Sequence, residues 1–302
     1  MQTSRESPRS GLIRRWVEAL AFVGVWMAAG LLLDMSTYAY LLFGIPLTVG
    51  FQLFVRKRPI EDLWVRGGPG LSLRRVSLKL AILAILLAIM PFIYLVINVV
   101  RGQGLDFIFY LLAAIVGAGA AAYALGQFRR ETWRYLGLCL ATAGLLGVLL
   151  FIGPRMLAAW SDVSTALPTG GRLGQDTLLG IEQLLLLIPV VFMMEEVAFR
   201  GAIDSHVRHP GERQGLESSA VYGVVSAIGV SVLWGVWHYP VVPLPPQLAH
   251  ASVIEHVVLV AYFEVAVGPL LSLFWRRSGN LMVPGFAHAT MDSVRNALGE
   301  TP

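Results

Sequence analysis

Residues 193 to 203, MMEEVAFRGAI, set two adjacent carboxylates, Glu195 and Glu196, and a guanidinium, Arg200, at the end of an otherwise apolar run. On a helix, residues four apart share a face and neighbours point about 100° apart. Glu196 and Arg200 therefore stack as an ion pair, the expected way to hold an arginine in or near lipid. Glu195 points elsewhere and has no local partner. A carboxyl in apolar surroundings suits a general base working near neutral pH. Spacing alone leaves two readings open: both acids share one arginine, or one neutralises it and the other is free to act.

Two more clusters lie downstream. LWGVWHYP, residues 233 to 240, places His238 near the end of an apolar helix with Trp234 one turn earlier. GNLMVPGFAHATMDSV, residues 279 to 294, places His288 and Asp292 four apart on one helical face. A histidine and a carboxylate at that spacing can bind a metal together or act on one carbonyl oxygen. Taken singly, each cluster has a structural explanation, such as a hydrogen-bonded interface histidine. Taken together they offer a carboxylate base, two imidazoles and a further polar group, the set needed to activate water and stabilise an oxyanion. Serine or cysteine nucleophiles have no such support, because Cys139 is remote and no Gly-x-Ser-x-Gly turn occurs.

The elements that must position these groups are membrane helices. Apolar residues make up 56% of the 302 and charged ones 14%, beyond the balance of a soluble domain; the mean hydropathy is +0.67. Apolar runs recur at Trp16 to Leu33, Tyr40 to Val55, Val76 to Val100, Phe107 to Phe128 and Tyr135 to Gly153. They continue at Thr177 to Ile203, Val221 to Tyr239, Val257 to Phe274 and Leu281 to Leu298. None alternates with period two, and only helices satisfy their own backbone in lipid without closing a barrel, so the fold class is an all-α, polytopic transmembrane bundle of about eight or nine spans.

Lys and Arg favour cytoplasmic loops. With the N-terminus inside, alternate loops collect Arg5 to Arg15, Arg56 to Lys79, Arg129 to Arg134, Arg208 with Arg213, and Arg276 with Arg277. The first run, though preceded by arginines like a signal peptide, is long and followed by more, so it reads as a retained first helix of a multi-pass protein of the cell membrane. The Pro/Gly-bearing stretch Pro154 to Gly174 separates an N-terminal five-helix part, residues 1–153, from a C-terminal part, 176–298, that holds every polar cluster. Small residues over 113–126, AAIVGAGAAAYALG, read as a close helix-packing surface. The net charge of +4 resides in loops, and no basic cluster interleaved with exposed aromatics supports nucleic-acid binding.

The three motifs resemble those of the CPBP intramembrane proteases, the group that includes CAAX-processing endopeptidases and bacteriocin self-immunity proteins. Glu195, Glu196 and Arg200 match EExxxR; Trp234 with His238 matches FxxxH; His288 with Asp292 matches HxxxN/D. The likeness covers about residues 176 to 296 and leaves the first five spans as an extension. It implies an intramembrane endopeptidase acting on a peptide or membrane-protein substrate. Glu195 would activate the water, His238 would hold that water or a metal, and His288 and Asp292 would stabilise the oxyanion or complete a zinc site with Glu195 and His238. Glu196 and Arg200 would be the structural pair. Two departures stand out: Trp234 replaces the usual Phe as an aromatic wall, and Asp292 stands where Asn is commoner. An ionised Asp cannot donate to an oxyanion, so Asp292 must be protonated, orient His288 or ligate a metal.

One expectation opposes this assembly. In straight helices at about 1.5 Å per residue, Glu195 and His238 lie at different depths, roughly 15 to 20 Å apart. Glu264, in AYFEVAVG, is intramembrane but belongs to none of the motifs and reads as a buried carboxyl bonded to a neighbouring helix. Two other functions compete with the protease: a non-catalytic immunity or assembly factor whose polar groups lock helices together, and a proton-coupled transporter with a water path past Glu264 and Glu195.

Overall fold

The computed structural model describes residues 8–70, 77–147, 149–150, positions 178, 180–182, 184, 185 and 188, and residues 192–208, 219–242 and 253–297. Among these the elements are helical, apart from one antiparallel bridge between Val65 and Asn280. The N-terminal helices are α1 (Pro8–Leu32), α2 (Thr37–Gly50, wound on in a wide turn through Val55), α3 (Leu78–Val100), α4 (Leu105–Gly126) and α5 (Arg130–Gly147). After them come α6 (Phe192–Asp204, a π-type helix continued by Ser205–Val207), α7 (Ala220–Trp237), α8 (Val253–Ser278) and α9 (Met282–Ala297). The stretch Pro154 to Gly174 and the start of the sixth apolar run lie outside the described residues.

Local chemistry sets the starts. Ser36, Ser77 and Ser219 precede α2, α3 and α7, and each hydroxyl accepts a backbone N–H three residues on, satisfying a donor the helix leaves open. Prolines lie inside α2, α3 and α8, each removing one backbone donor from its helix. Among the described residues five helices, namely α1, α2 with its continuation, α3, α4 and α7, are long and apolar enough to cross a membrane. The outermost is α3, which buries only Pro91 among its described side chains and presents Ile82, Ile85, Leu86, Ile89 and Phe92 outward.

At the centre lies α6. Every residue from Glu196 to Val207 is buried, and α2, α4, α7, α8 and α9 all pack on it. The N-terminal helices α1, α2, α4 and α5 thus pack directly on the C-terminal ones, with α3 outside them on α4: α5 packs on α8 and α9, and α1 on α7. The small-residue face of α4 is buried at Ala114, Gly117, Ala118, Ala121 and Ala122, as its composition predicts.

The ends of the bundle sort by charge. At one end Arg56 donates to the Gly201 carbonyl at 2.9 Å, Arg66 to the Arg276 carbonyl at 3.4 Å, and Arg276 pairs with Asp204. Burial pushes the Arg56 guanidinium down to about 10, so it stays charged at neutral pH. His206 and Glu18 meet at 2.7 Å at the same end. A Cβ on Gly201 would lie 2.4 Å from the Leu63 carbonyl oxygen, so only glycine lets the loop after α2 seat against α6. At the opposite end Ser36 hydrogen-bonds Asp106, Tyr38 packs on Phe107 and Tyr110, and Gly30 approaches Pro240. The basic loops that alternate along the sequence therefore converge in space.

Candidate active site

The site is built where α6, α7, α8 and α9 face one another. In the middle of α6, Glu196 Oε2 lies 3.5 Å from Arg200 Nε, and both side chains are fully buried. Arg200 also lies over the Trp234 ring, 4.6 Å from its centroid, so the cation is balanced by one carboxylate and one aromatic face. Gly268 on α8 makes room for it: a Cβ there would stand 2.3 Å from Ser231 Oγ and 3.3 Å from Arg200 Nη2. Glu196 has a second partner that spacing does not reveal. Its Oε1 lies 3.0 Å from His288 Nδ1, so the acid of the ion pair also fixes the imidazole of α9.

Glu195 turns the other way, as its place beside Glu196 on the helix requires. Its Oε2 accepts the Trp234 indole N–H at 3.0 Å and faces His238 Nε2 at 3.7 Å and His288 Nε2 at 4.0 Å. The expected separation of Glu195 from His238 is thereby corrected. Two features close the gap: α6 runs on past Ile203 to Val207, which sets Glu195 nearer the depth of His238, and helical side chains lean back toward the N-terminus of their own helix. Since α6 and α7 run antiparallel, with Val207 beside Tyr222 at one end, Glu195 leans toward the depth of His238 and His238 leans back toward Glu195. Trp234 is accordingly more than an aromatic wall. It donates to Glu195, lies under Arg200 and packs edge-on to His288 at 4.9 Å between centroids.

His238 caps the C-terminus of α7. Its Nδ1 faces the Trp234 carbonyl at 2.9 Å, so that nitrogen carries the proton and Nε2 presents its lone pair to Glu195. Glu264 of α8 reaches the same Nδ1 at 3.6 Å. Its side chain is buried, and its neighbour is this histidine rather than a group outside the site. The signal for including it was present in the sequence as an unexplained carboxylate in an apolar run. Asp292 Oδ2 lies 3.4 Å from His288 Nε2, and its Oδ1 lies 3.5 Å from Arg295 Nη1. An arginine on one oxygen and an imidazole on the other suit an ionised carboxylate that orients His288.

The structure thus brings together the motif residues Glu195, Glu196, Arg200, Trp234, His238, His288 and Asp292, joins to them Glu264, which belongs to no motif, and adds Arg295. Nitrogen and oxygen donors of this kind suit zinc. Among the described residues, however, no group of three or more His, Cys, Asp or Glu side chains has the arrangement of a metal site.

Comparison with known proteins falls on the same segment. Residues 177–294 match the type II CAAX prenyl endopeptidase Rce1-like family. This segment is similar to that family. The Rce1-like match takes in α6, α7, α8 and most of α9, and with them every side chain of the cluster except Arg295, one position beyond it. The family is one of membrane proteases, which bears out the resemblance carried by the three motifs. The helices α1 to α5 lie outside the match. No curated protein and no solved structure matches the chain.

Proposed function

We propose that the protein is an intramembrane endopeptidase in which Glu195 activates water against a peptide bond of a membrane-borne substrate. The observation that carries this reading is the environment of Glu195 Oε2, with the Trp234 N–H at 3.0 Å, His238 Nε2 at 3.7 Å and His288 Nε2 at 4.0 Å. The indole N–H bonds Glu195 directly, whereas the two imidazole nitrogens stand beyond direct bonding distance and within reach of one shared water. In the proposed step His238 Nε2 and Glu195 hold the water. Glu195 takes its proton as the oxygen attacks the scissile carbonyl carbon. The carbonyl oxygen becomes an oxyanion that accepts the His288 Nε2–H in place of Asp292, which stands 3.4 Å from that nitrogen, while Glu196 fixes Nδ1. Glu195 then passes the proton to the departing amine, and the peptide C–N bond breaks. Glu196 and Arg200 keep the centre of α6 neutral while holding His288 in place.

A divalent metal among Glu195, His238, His288 and Asp292 is the competing form of this chemistry. The two share residues but not a response to chelation. The test uses purified full-length protein in nanodiscs with a membrane-anchored reporter peptide. Glu195→Gln and His288→Ala are expected to insert and melt like the wild type while cleavage falls by a factor on the order of 10² to 10⁴. Chelator treatment of the wild type is expected to leave its rate unchanged. Loss of activity with chelator, restored by zinc, would transfer the water to a metal. Wild-type cleavage by Glu195→Gln would leave the polar cluster with a helix-locking role only, as in an immunity or assembly factor.

A further inference from the structure

A cavity of about 260 Å³ lies away from the acid and imidazole cluster, at the end of the bundle where the basic loops meet. Both parts of the chain line it. Arg66 and Gly67 come from the turn after α2, Arg129, Glu131 and Thr132 from the α4–α5 junction, and Arg277 from the end of α8.

The walls are fixed by bonds between these segments. Arg66 N–H donates to the Gly279 carbonyl at 2.8 Å, the buried Asn280 amide donates to the Ala124 carbonyl at 2.7 Å, and the Tyr123 hydroxyl donates to the Pro69 carbonyl at 2.6 Å. Gly67 and Gly279 each turn the chain through a φ of 63°, which is strained for other residues and lets the two turns meet edge to edge.

Charge in the cavity is unbalanced, with three guanidiniums against the single carboxylate of Glu131. Arg66 is engaged with the Trp275 ring and the Arg276 carbonyl. Arg129 and Arg277 are exposed, and their guanidiniums make no ion pair among the described residues. Thr132 adds a hydroxyl, and the cavity opens at the N-terminal turn of α5, where the helix dipole favours an anion. Planar guanidiniums beside a hydroxyl and a helix N-terminus match the oxygens of a phosphate.

We infer that this cavity binds an anionic phosphate group, carried by a membrane lipid headgroup or by a soluble phosphate compound. Because its walls join α4 and α5 to the α8–α9 turn, the bound phosphate clamps the N-terminal helices onto the Rce1-like segment. The site is separate from the cleavage chemistry and does not depend on it.

The test uses full-length protein in phosphatidylcholine nanodiscs, with phosphatidylglycerol added to the discs in one arm and inorganic phosphate to the buffer in the other. Thermal stabilisation gives the apparent affinity in each. At about 1 kcal/mol per arginine near a membrane surface, Arg277→Gln is expected to weaken binding about fivefold and Arg129→Gln/Arg277→Gln on the order of 25-fold. Arg130→Gln, exposed but outside the cavity, is expected to bind as the wild type does. Response to phosphatidylglycerol alone assigns a lipid source, and response to phosphate in neutral discs assigns a soluble one. Absence of stabilisation by either probe overturns the inference, as does an equal loss in Arg130→Gln and Arg277→Gln. Should the double variant not fold, Arg277→Gln alone decides.

Discussion

At the scale of single residues, the cluster divides its labour by which atom of each side chain is already committed. Glu196 spends one oxygen on Arg200 and the other on His288, whereas Glu195 Oε2 is held by one indole N–H and otherwise faces two imidazole edges. The pairing of Glu196 with Arg200 was legible from a spacing of four. The second bond of Glu196 was not, because it joins residues 92 positions apart and no local rule reports such a contact. Trp234 shows the same limit. Its ring was legible as an aromatic wall, but its N–H acquires a role only when α6 sets Glu195 opposite it. Trp234→Phe keeps a ring under Arg200 and removes that hydrogen bond. A hydrogen bond to a charged group contributes about 1.5 to 3 kcal/mol, so kcat is expected to fall roughly 10- to 100-fold with KM little changed. Steady-state kinetics on folded variant protein checks this, and an unaltered kcat would return Trp234 to the role of a wall.

At the scale of elements, the helices were legible as apolar runs, but their relative depth was not. Sequence fixes how many residues separate Glu195 from the end of its run. It does not report that antiparallel neighbours lean their side chains toward each other, nor that α6 winds as a wide π-type helix. Such widening recurs at functional sites. Close approach is then set by glycine. A Cβ on Gly235 would lie 2.5 Å from the Ala261 Cα, so α7 and α8 pack backbone to backbone one turn below His238 and beside Glu264. Gly235→Ala is expected to push the two helices apart, destabilise the protein by about 1 to 3 kcal/mol and reduce cleavage by separating His238 from Glu264. Gly119→Ala on α4, where a Cβ meets nothing within 4 Å, serves as the neutral comparison. Reversible unfolding in mixed micelles together with the cleavage assay distinguishes the two, and equal behaviour would remove Gly235 from the account.

At the scale of the whole molecule, the expense of so many polar groups within an apolar bundle has a common explanation. Ionisable side chains in lipid persist where they pair or where they act. Here Glu196 and Arg200 pair, His288 and Asp292 orient each other, and Glu195 directs one oxygen toward His238 at 3.7 Å. Of the helices that the Rce1-like match does not include, α1, α2, α4 and α5 pack around this centre: Trp26 and Tyr40 brace the end of α7, the Tyr40 hydroxyl donating to the Trp237 carbonyl at 2.9 Å. The central claim is that a water held by Glu195 attacks the amide directly. Single-turnover cleavage of the reporter in ¹⁸O-labelled water tests it most directly, read by mass spectrometry of the new C-terminus. The account predicts one ¹⁸O in the first-turnover product of the wild type and no product from Glu195→Gln. Unlabelled oxygen in that first product, which would mean that a side-chain oxygen attacked instead, contradicts it.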